Sequence, residues 1–236
     1  MQIDKENGNT KWWDAIFQYM GNVRPAFHVH EGTKADLPIG YQNIKCHIIF
    51  DVKMGENFRR KARLVGGGHM TEAPSLITYS SVVSRYSIRI TLTVDTLNGL
   101  DILACYIHNA YLTVKCREKI WTISSPEFGN EESSLMIVKM ELYGLKSSGA
   151  AFRAKLAGVP HDLMYVPSKA DPDVWIRPAV RPDGSEYYEM ELCYVNDVLL
   201  IAAEPMKTVY GIRAVLKLKG TRPKSLTCNY GHRCQI

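Results

Sequence analysis

The 236-residue sequence has no run of about 18 apolar residues, the length a membrane-spanning helix needs. Its first residues, MQIDKENGNTKWW, have no apolar core behind a basic start, so no secretory leader is expected. A location inside the cell, in the cytoplasm and away from membranes, follows as the expectation. Six cysteines (Cys46, Cys105, Cys116, Cys193, Cys228, Cys234) include no CxxC pair, and a chain of this size does not need disulfides. They read as reduced thiols. No GxSxG elbow is present, which removes support for a serine hydrolase. The run Gly66-Gly67-Gly68 lacks GxGxxG spacing and a preceding apolar strand, so it reads as a flexible joint and not as a dinucleotide loop. Repeats and low-complexity tracts are also missing.

What remains is an ordinary globular composition. Hydrophobic residues make up 46% and charged residues 22%, with 29 Lys and Arg against 24 Asp and Glu. The net charge of +5 is compatible with a polyanionic partner, yet it is too small to argue for one unaided.

Periodicity places the elements. Trp12, Trp13, Ile16, Phe17 and Met20 recur at helical spacing behind the caps Asn9 and Thr10. Ile44, Cys46, Ile48, Phe50 and Val52 alternate as in a strand, MGEN at 54–57 turns, and FRRKARLV returns antiparallel. A helix is expected from Ser84 to Gly99, then strands at 101–107, 119–123 and 135–140. A further helix should open at Ser147 or Ser148 and be limited by Pro160, followed by a short strand at 174–176. YYEMELCYV and VLLIAA flank Asn196 and Asp197, a tight hairpin displaying that dipeptide, and a last helix spans 206–220 before an irregular basic tail. Strands and helices mix without a βαβ rhythm. The expected class is α+β, an antiparallel sheet with helices on one face.

In the returning arm a period of two puts Arg59, Lys61 and Arg63 on one face, opposite Phe58, Arg60, Ala62 and Leu64. A solvated strand face and a polyanion contact fit this pattern equally well.

Six stretches stand in a telling order: KARLV at 61–65, TYSSVVSR at 78–85, IHNAYL at 107–112, YGLKSS at 143–148, ADPDVW at 170–175 and CYVNDVLLI at 193–201. In order and spacing the chain resembles the copia-type retrotransposon reverse transcriptases over nearly its whole length. The resemblance implies one right-hand polymerase domain, with fingers mainly in 1–95, palm mainly in 96–220, a basic tail at 221–236, and a thumb absent or truncated. It implies an RNA template, a DNA primer, a nucleoside triphosphate and Mg²⁺. Lys61 and Arg63 would touch the triphosphate, Tyr111 would lie under the nucleotide sugar, and Lys146 would lie near the nucleotide. Arg59, Ser147, Ser148 and Gly149 would meet nucleic acid, although the family commonly has Pro where Gly149 stands.

The chain departs from the family where chemistry is concentrated. Two-metal phosphoryl transfer needs hard oxygen ligands on adjacent strands. Tyr106 stands where the family has one Asp, Asn196 stands where it has the first Asp of YVDD, and only Asp197 is retained as a metal ligand. A phenol is neutral at pH 7 and an amide carries no charge, so three negative charges fall to one. Both replacements are single-nucleotide changes from Asp codons, as is Tyr86, where the family often has an acid. The resemblance therefore implies a degenerate, catalytically impaired fragment. The alternatives are a non-catalytic nucleic-acid-binding module and an unstable relic without a role.

Neighbouring acids do not compensate on sequence grounds. Asp101 is an odd number of residues from Tyr106 and points to the other strand face. Glu191 shares a face with Asp197 by its even spacing but lies six residues away, about 20 Å along an extended strand. His108 is a poor Mg²⁺ ligand. Asp171 and Asp173 flank Pro172 and read as turn residues. Cys228, His232 and Cys234 lack the spacing of a zinc knuckle.

Overall fold

Most of the stretches with period 2 or 3.6 become strands and helices where they stand in the sequence. The computed structural model describes residues 2–55, 57–75, 77–220 and 223–225. The tail candidates Cys228, His232 and Cys234 lie outside the described residues. In chain order the helices are Gln2–Glu6 (α1), Lys11–Val23 (α2), Arg85–Asn98 (α3), Ser148–Asp162 (α4) and Met206–Val215 (α5). The strands are Phe27–Val29 (β1), Gln42–Asn43 (β2), Cys46–Lys53 (β3), Arg59–Gly66 (β4), Asp101–Tyr106 (β5) and Ile120–Ile123 (β6). They continue as Leu135–Val138 (β7), Val166–Pro167 (β8), Val174–Val180 (β9), Glu186–Tyr194 (β10), Asp197–Ala202 (β11) and Lys224–Ser225 (β12). The class is mixed α+β, and the chain divides into two units, Met1–Tyr79 with Tyr111–Phe152, and Ser80–Ala110 with Arg153–Ile236.

The first unit holds the β3–β4 hairpin and a four-stranded sheet in the order β1-β7-β6-β2. Asp4 on α1 accepts the N–H groups of Trp12 and Trp13 at 3.1 and 2.9 Å, satisfying donors that the first turn of α2 cannot use internally. The buried stripe of α2 is Ile16, Met20 and Val23, with Trp12 edge-on to Phe50. Trp13 and Phe17 were expected on that face, but Phe17 lies one residue, about 100°, around the helix from Ile16 and is 75% exposed, and Trp13 in the first turn is 52% exposed. On β4, Ala62 and Leu64 are buried while Arg59, Lys61 and Arg63 take the opposite face.

The glycine run is not a joint. Gly66 N–H donates to the Tyr143 carbonyl at 2.8 Å and Gly67 N–H to that of Lys45 at 2.9 Å. A Cβ on Gly68 would lie under 3.0 Å from the Gly144 carbonyl and 2.9 Å from Leu145 Cα, so two backbone segments cross where a side chain has no room.

The second unit is built on a six-stranded sheet in the order β12-β5-β11-β10-β9-β8, with its connected pairs antiparallel. Helix α3 begins where Ser84 accepts the Ser87 N–H at 3.0 Å and ends at Gly99 in the left-handed region, φ 58. Its Ile88 and Leu92 pack against the buried cluster that holds Ile102, Leu192 and Ile201. The other sheet face also carries helices, because Tyr165 just after α4 and Thr208 of α5 bond to each other, and Tyr165 bonds to Glu189 of β10. Helices on one face alone are thus corrected: Glu189 to Cys193 are all buried, as in a strand covered on both sides.

The strand expected at 174–176 runs to Val180, those expected to reach 107 and 140 end at Tyr106 and Val138, and three further boundaries differ for visible reasons. Pro160 sits inside α4, which runs to Asp162; near the C-terminus proline removes one N–H, while Leu163 and Tyr165 still donate to Val159 and Pro160. Helix α5 stops at Val215, since Leu216-Lys217-Leu218-Lys219 alternates and extends along β5, bridging Ile107 to Leu218. In the β10–β11 hairpin Tyr194 already pairs with Asp197, so the turn residues are Val195 and Asn196.

Candidate functional site

Three side chains share a face at one end of the six-stranded sheet. Asp197 is paired with Tyr106 on β5 and with Tyr194 on β10, so the row reads Tyr106, Asp197, Tyr194 across three neighbouring strands. The frame continues past the row, with Ile107 N–H donating to Asn196 O at 2.8 Å and Lys219 N–H to Tyr106 O at 2.7 Å. Asp197 is exposed at the strand start, its carboxyl pKa is raised by desolvation, and its carboxylate has no hydrogen bond or ion pair among the described residues. Lys224 Nζ stands 5.7 Å from the Tyr106 ring centroid. His108 is held below its ordinary pKa by desolvation and then by Lys217 and Lys219.

The neighbouring acids are elsewhere. Asp101 pairs with Ala202 at the far end of β5 on the opposite face. Glu191 pairs with Leu200, so the turn reverses the parity counted along the chain and Glu191 faces away from Asp197, three register steps off. This corrects the shared face and the extended-strand distance. Glu191 is 0% exposed, and burial pushes its pKa up to about 7.

Residues 31–222 match the reverse transcriptase (RNA-dependent DNA polymerase) family. The chain belongs to the reverse transcriptase family. No curated protein matches it. Reverse transcriptase domains act on nucleic-acid template and primer with nucleotide substrates, and they generally use Mg²⁺. The donor set on this row, one carboxylate between two phenols with an amide beside it, does not fit a pair of Mg²⁺ ions, which need several anionic oxygens on adjacent strands. Among the described residues no three His, Cys, Asp or Glu side chains are grouped to hold a metal ion, and no helix is long and apolar enough to cross a membrane.

The remaining candidates of this reverse transcriptase chain lie in the first unit. Arg59, Lys61 and Arg63 share a β4 face, and Arg63 stands over the Tyr143 ring, 5.8 Å from its centroid. Tyr111, in a short 3-10 turn, meets the same Tyr143 edge-on at 4.8 Å and Phe152 at 6.1 Å, and desolvation raises its pKa. Arg63 and Tyr111 are thus joined through one aromatic ring. Lys146 Nζ donates to the Thr71 carbonyl at 2.5 Å. Ser147 and Ser148 are buried: the Ser147 hydroxyl lies within hydrogen-bond distance of both Glu118 and Glu141, and that of Ser148 of both Glu141 and the Leu142 carbonyl, each with a single proton to donate. Gly149 follows as the second residue of α4.

Two polar networks escape a sequence reading. Glu141 is fully buried with a pKa raised by desolvation, against which the Ser148 and Ser147 hydroxyls act. Asp171 accepts from Ser84 N–H and Ser87 Oγ and also from Asp173 N–H, while Arg153 Nε bonds Asp173 at 2.8 Å. The Asp-Pro-Asp turn is therefore also an anchor for α3. Only the turn was legible, because the partners are 84 to 87 residues away.

Proposed function

We propose that this chain is a copia-type retrotransposon reverse transcriptase domain, with fingers mainly in 1–95 and palm mainly in 96–220, whose polymerase chemistry is impaired. Six ordered motifs support the copia-type assignment. The pairing of Tyr106 with Asp197 carries the impairment: the position directly across from the retained carboxylate bears a phenol, and Asn196 precedes it. If each missing charge removes about 3–4 kcal/mol of transition-state stabilisation, the rate falls by roughly 10⁴ or more. In this reading Lys61 and Arg63 face the triphosphate, Tyr111 the sugar, and Arg59 and Lys146 to Gly149 the nucleotide or nucleic acid.

The test is single-nucleotide incorporation on an RNA template with Mg²⁺ by the wild type, Tyr106→Asp, Asn196→Asp and the double variant. The two changes act as a unit, so only the double variant should rise above background. Wild-type incorporation within tenfold of the double variant overturns the impaired reading.

The cationic β4 face favours a second reading, a module that binds RNA–DNA hybrid without copying it.

A further inference from the structure

Two carboxyls and two hydroxyls meet just before α4, and their protons do not suffice for their contacts. Ser147 Oγ lies 2.5 Å from Glu118 Oε1 and 2.9 and 3.0 Å from the two carboxyl oxygens of Glu141. Ser148 Oγ lies 2.8 Å from Glu141 Oε2 and 2.6 Å from the Leu142 carbonyl. If both acids are ionised, every oxygen facing these hydroxyls is an acceptor, and two protons must serve five contacts. An oxygen of Glu141 then faces a lone pair of Ser147. One added proton resolves this. Carried by Glu141, it is donated to Ser147 Oγ, Ser147 donates in turn to Glu118, and the other oxygen of Glu141 is left to accept from Ser148.

The surroundings decide which acid holds the proton. Glu141 is 0% exposed, whereas Glu118 is half-buried. Glu118 also accepts the Ser147 N–H at 3.0 Å, at the helix end whose dipole favours negative charge. The charge therefore stays on Glu118. Through the shared hydroxyl the carboxyls lie within about 6 Å of each other, close enough for one ionisation to oppose the other. Desolvation raises the Glu141 pKa and the Glu118 charge raises it further, against the Ser148 and Ser147 hydroxyls and the Arg117 backbone N–H. The nearby Cys116 thiol is neutral, its own pKa pushed up to about 12 by desolvation and then by Glu141, and Lys146 donates to the Thr71 carbonyl.

We propose that a proton shared along Glu141, Ser147 and Glu118 is a pH-sensitive latch on the start of α4, closed while Glu141 is neutral and opened when rising pH removes the proton. Closed, it occupies both serine hydroxyls and ties the turn from Glu141 to Ser148 to the helix. Opened, two anions face one hydroxyl, and the turn loosens together with the first turn of α4. The stabilisation is full below the unfolded carboxyl pKa of about 4.3 and is lost as pH rises through the higher folded value. The latch needs no ligand and stands whether or not the chain polymerises.

Two measurements on the full chain test it. Infrared difference spectra of wild type against Glu141→Gln at pH 6 should contain a protonated-carboxyl C=O band that fades as pH is raised. In hydrogen exchange, the amides of Ser147, bonded to Glu118, and Ala151, bonded to the Ser147 carbonyl, report the latch directly. Their protection factors should fall at least tenfold from pH 6 to pH 9 in the wild type. In Glu141→Gln they should change less than twofold, because the amide donates to Ser147 as the neutral acid does. Glu118→Gln removes the opposing charge and should move the wild-type transition to lower pH by about half a unit or more. Should Glu141→Gln fail to fold, the wild-type exchange at these two amides and the Glu118→Gln shift decide. A difference spectrum at pH 6 without that band, or protection at Ser147 and Ala151 that is constant with pH, would overturn the latch.

Discussion

The carboxylate of Asp171 accepts the backbone N–H of Ser84, 2.9 Å away and 87 residues earlier in the chain. The contact lies at the N-terminus of α3, where Ser84 also accepts the Ser87 N–H and the Ser87 hydroxyl donates to Asp171 at 2.6 Å. Negative charge is favoured there by the helix dipole, and unpaired amides gain an acceptor. Burial by itself would raise the Asp171 pKa, but the hydrogen bonds from Ser87, Ser84 and Asp173 outweigh it and hold it below the ordinary carboxylate value.

Replacing Asp171 with Ala should destabilise the chain by about 1–3 kcal/mol at pH 7, the range for removing a charged acceptor from donors of which only the Asp173 N–H is fully buried. A depressed folded pKa adds stability above the unfolded value near 3.9, and this is lost as pH falls through the folded pKa. The gap between wild type and Asp171→Ala in urea denaturation should therefore narrow below about pH 4. A gap unchanged by acid would remove the carboxylate from the account of how α3 is anchored.

Gly144 has φ 90, and a Cβ there would lie 2.6 Å from Val65 Cγ1 and under 3.0 Å from the Gly66 carbonyl. Gly144→Ala should cost about 3 kcal/mol or more, combining a disfavoured backbone with a clash against main chain. Gly99, also at positive φ but with open space around it, should lose only about 1 kcal/mol on the same change. Comparable losses at both positions would contradict the close crossing.

Val195 occupies the first turn position of the β10–β11 hairpin with φ 53, a region that β-branched residues rarely enter. Val195→Gly should raise stability by about 1 kcal/mol, measured as a higher denaturation midpoint, since glycine is the residue this turn position prefers. A lower midpoint would mean that contacts of the valine methyls outweigh the backbone strain.

Glu191 should make the second unit more stable in acid than at neutrality. Its folded pKa near 7 lies above the unfolded value near 4.3, so folding takes up a proton between these limits and stability falls as pH rises through them. Glu191→Gln does not titrate. Its advantage over wild type should widen from pH 5 to pH 8 by on the order of 1–3 kcal/mol. An advantage constant across that range would place the carboxyl in a more hydrated setting than its burial indicates.

Replacing Arg59, Lys61 and Arg63 together with Ala should reduce the salt dependence of hybrid binding, lowering the log-log slope by roughly two to three. Equal binding by wild type and triple variant at low salt would exclude this face.

Local signals carried well where local physics decides. The Ser84 cap and Gly99 bracketed α3, and alternation sorted the β4 cations from Ala62 and Leu64. The glycine run was misread because its reason, the Gly144 segment, lies about 76 residues onward and leaves no local mark. The α5 end was misjudged although Leu216 to Lys219 alternates visibly, since the preceding helical period masked the change. Burial on both sheet faces was legible in the unbroken apolar run VLLIA. At the site, family spacing singled out positions 106, 196 and 197, whereas parity counted along the chain misplaced Glu191, because a two-residue turn reverses it. The hydroxyls of Ser147 and Ser148 gave no sign that Glu118 and Glu141 would occupy them.

The ladder that seats residue 106 across from residue 197 is made of amides and carbonyls, which are indifferent to the side chain each position carries. A change of side chain at 106 therefore need not unseat the strand, and quality control that senses only misfolding does not register it. The same indifference leaves chemistry open to small steps: single-base changes at codons 106 and 196 would place acids on a frame whose ladder is unaltered.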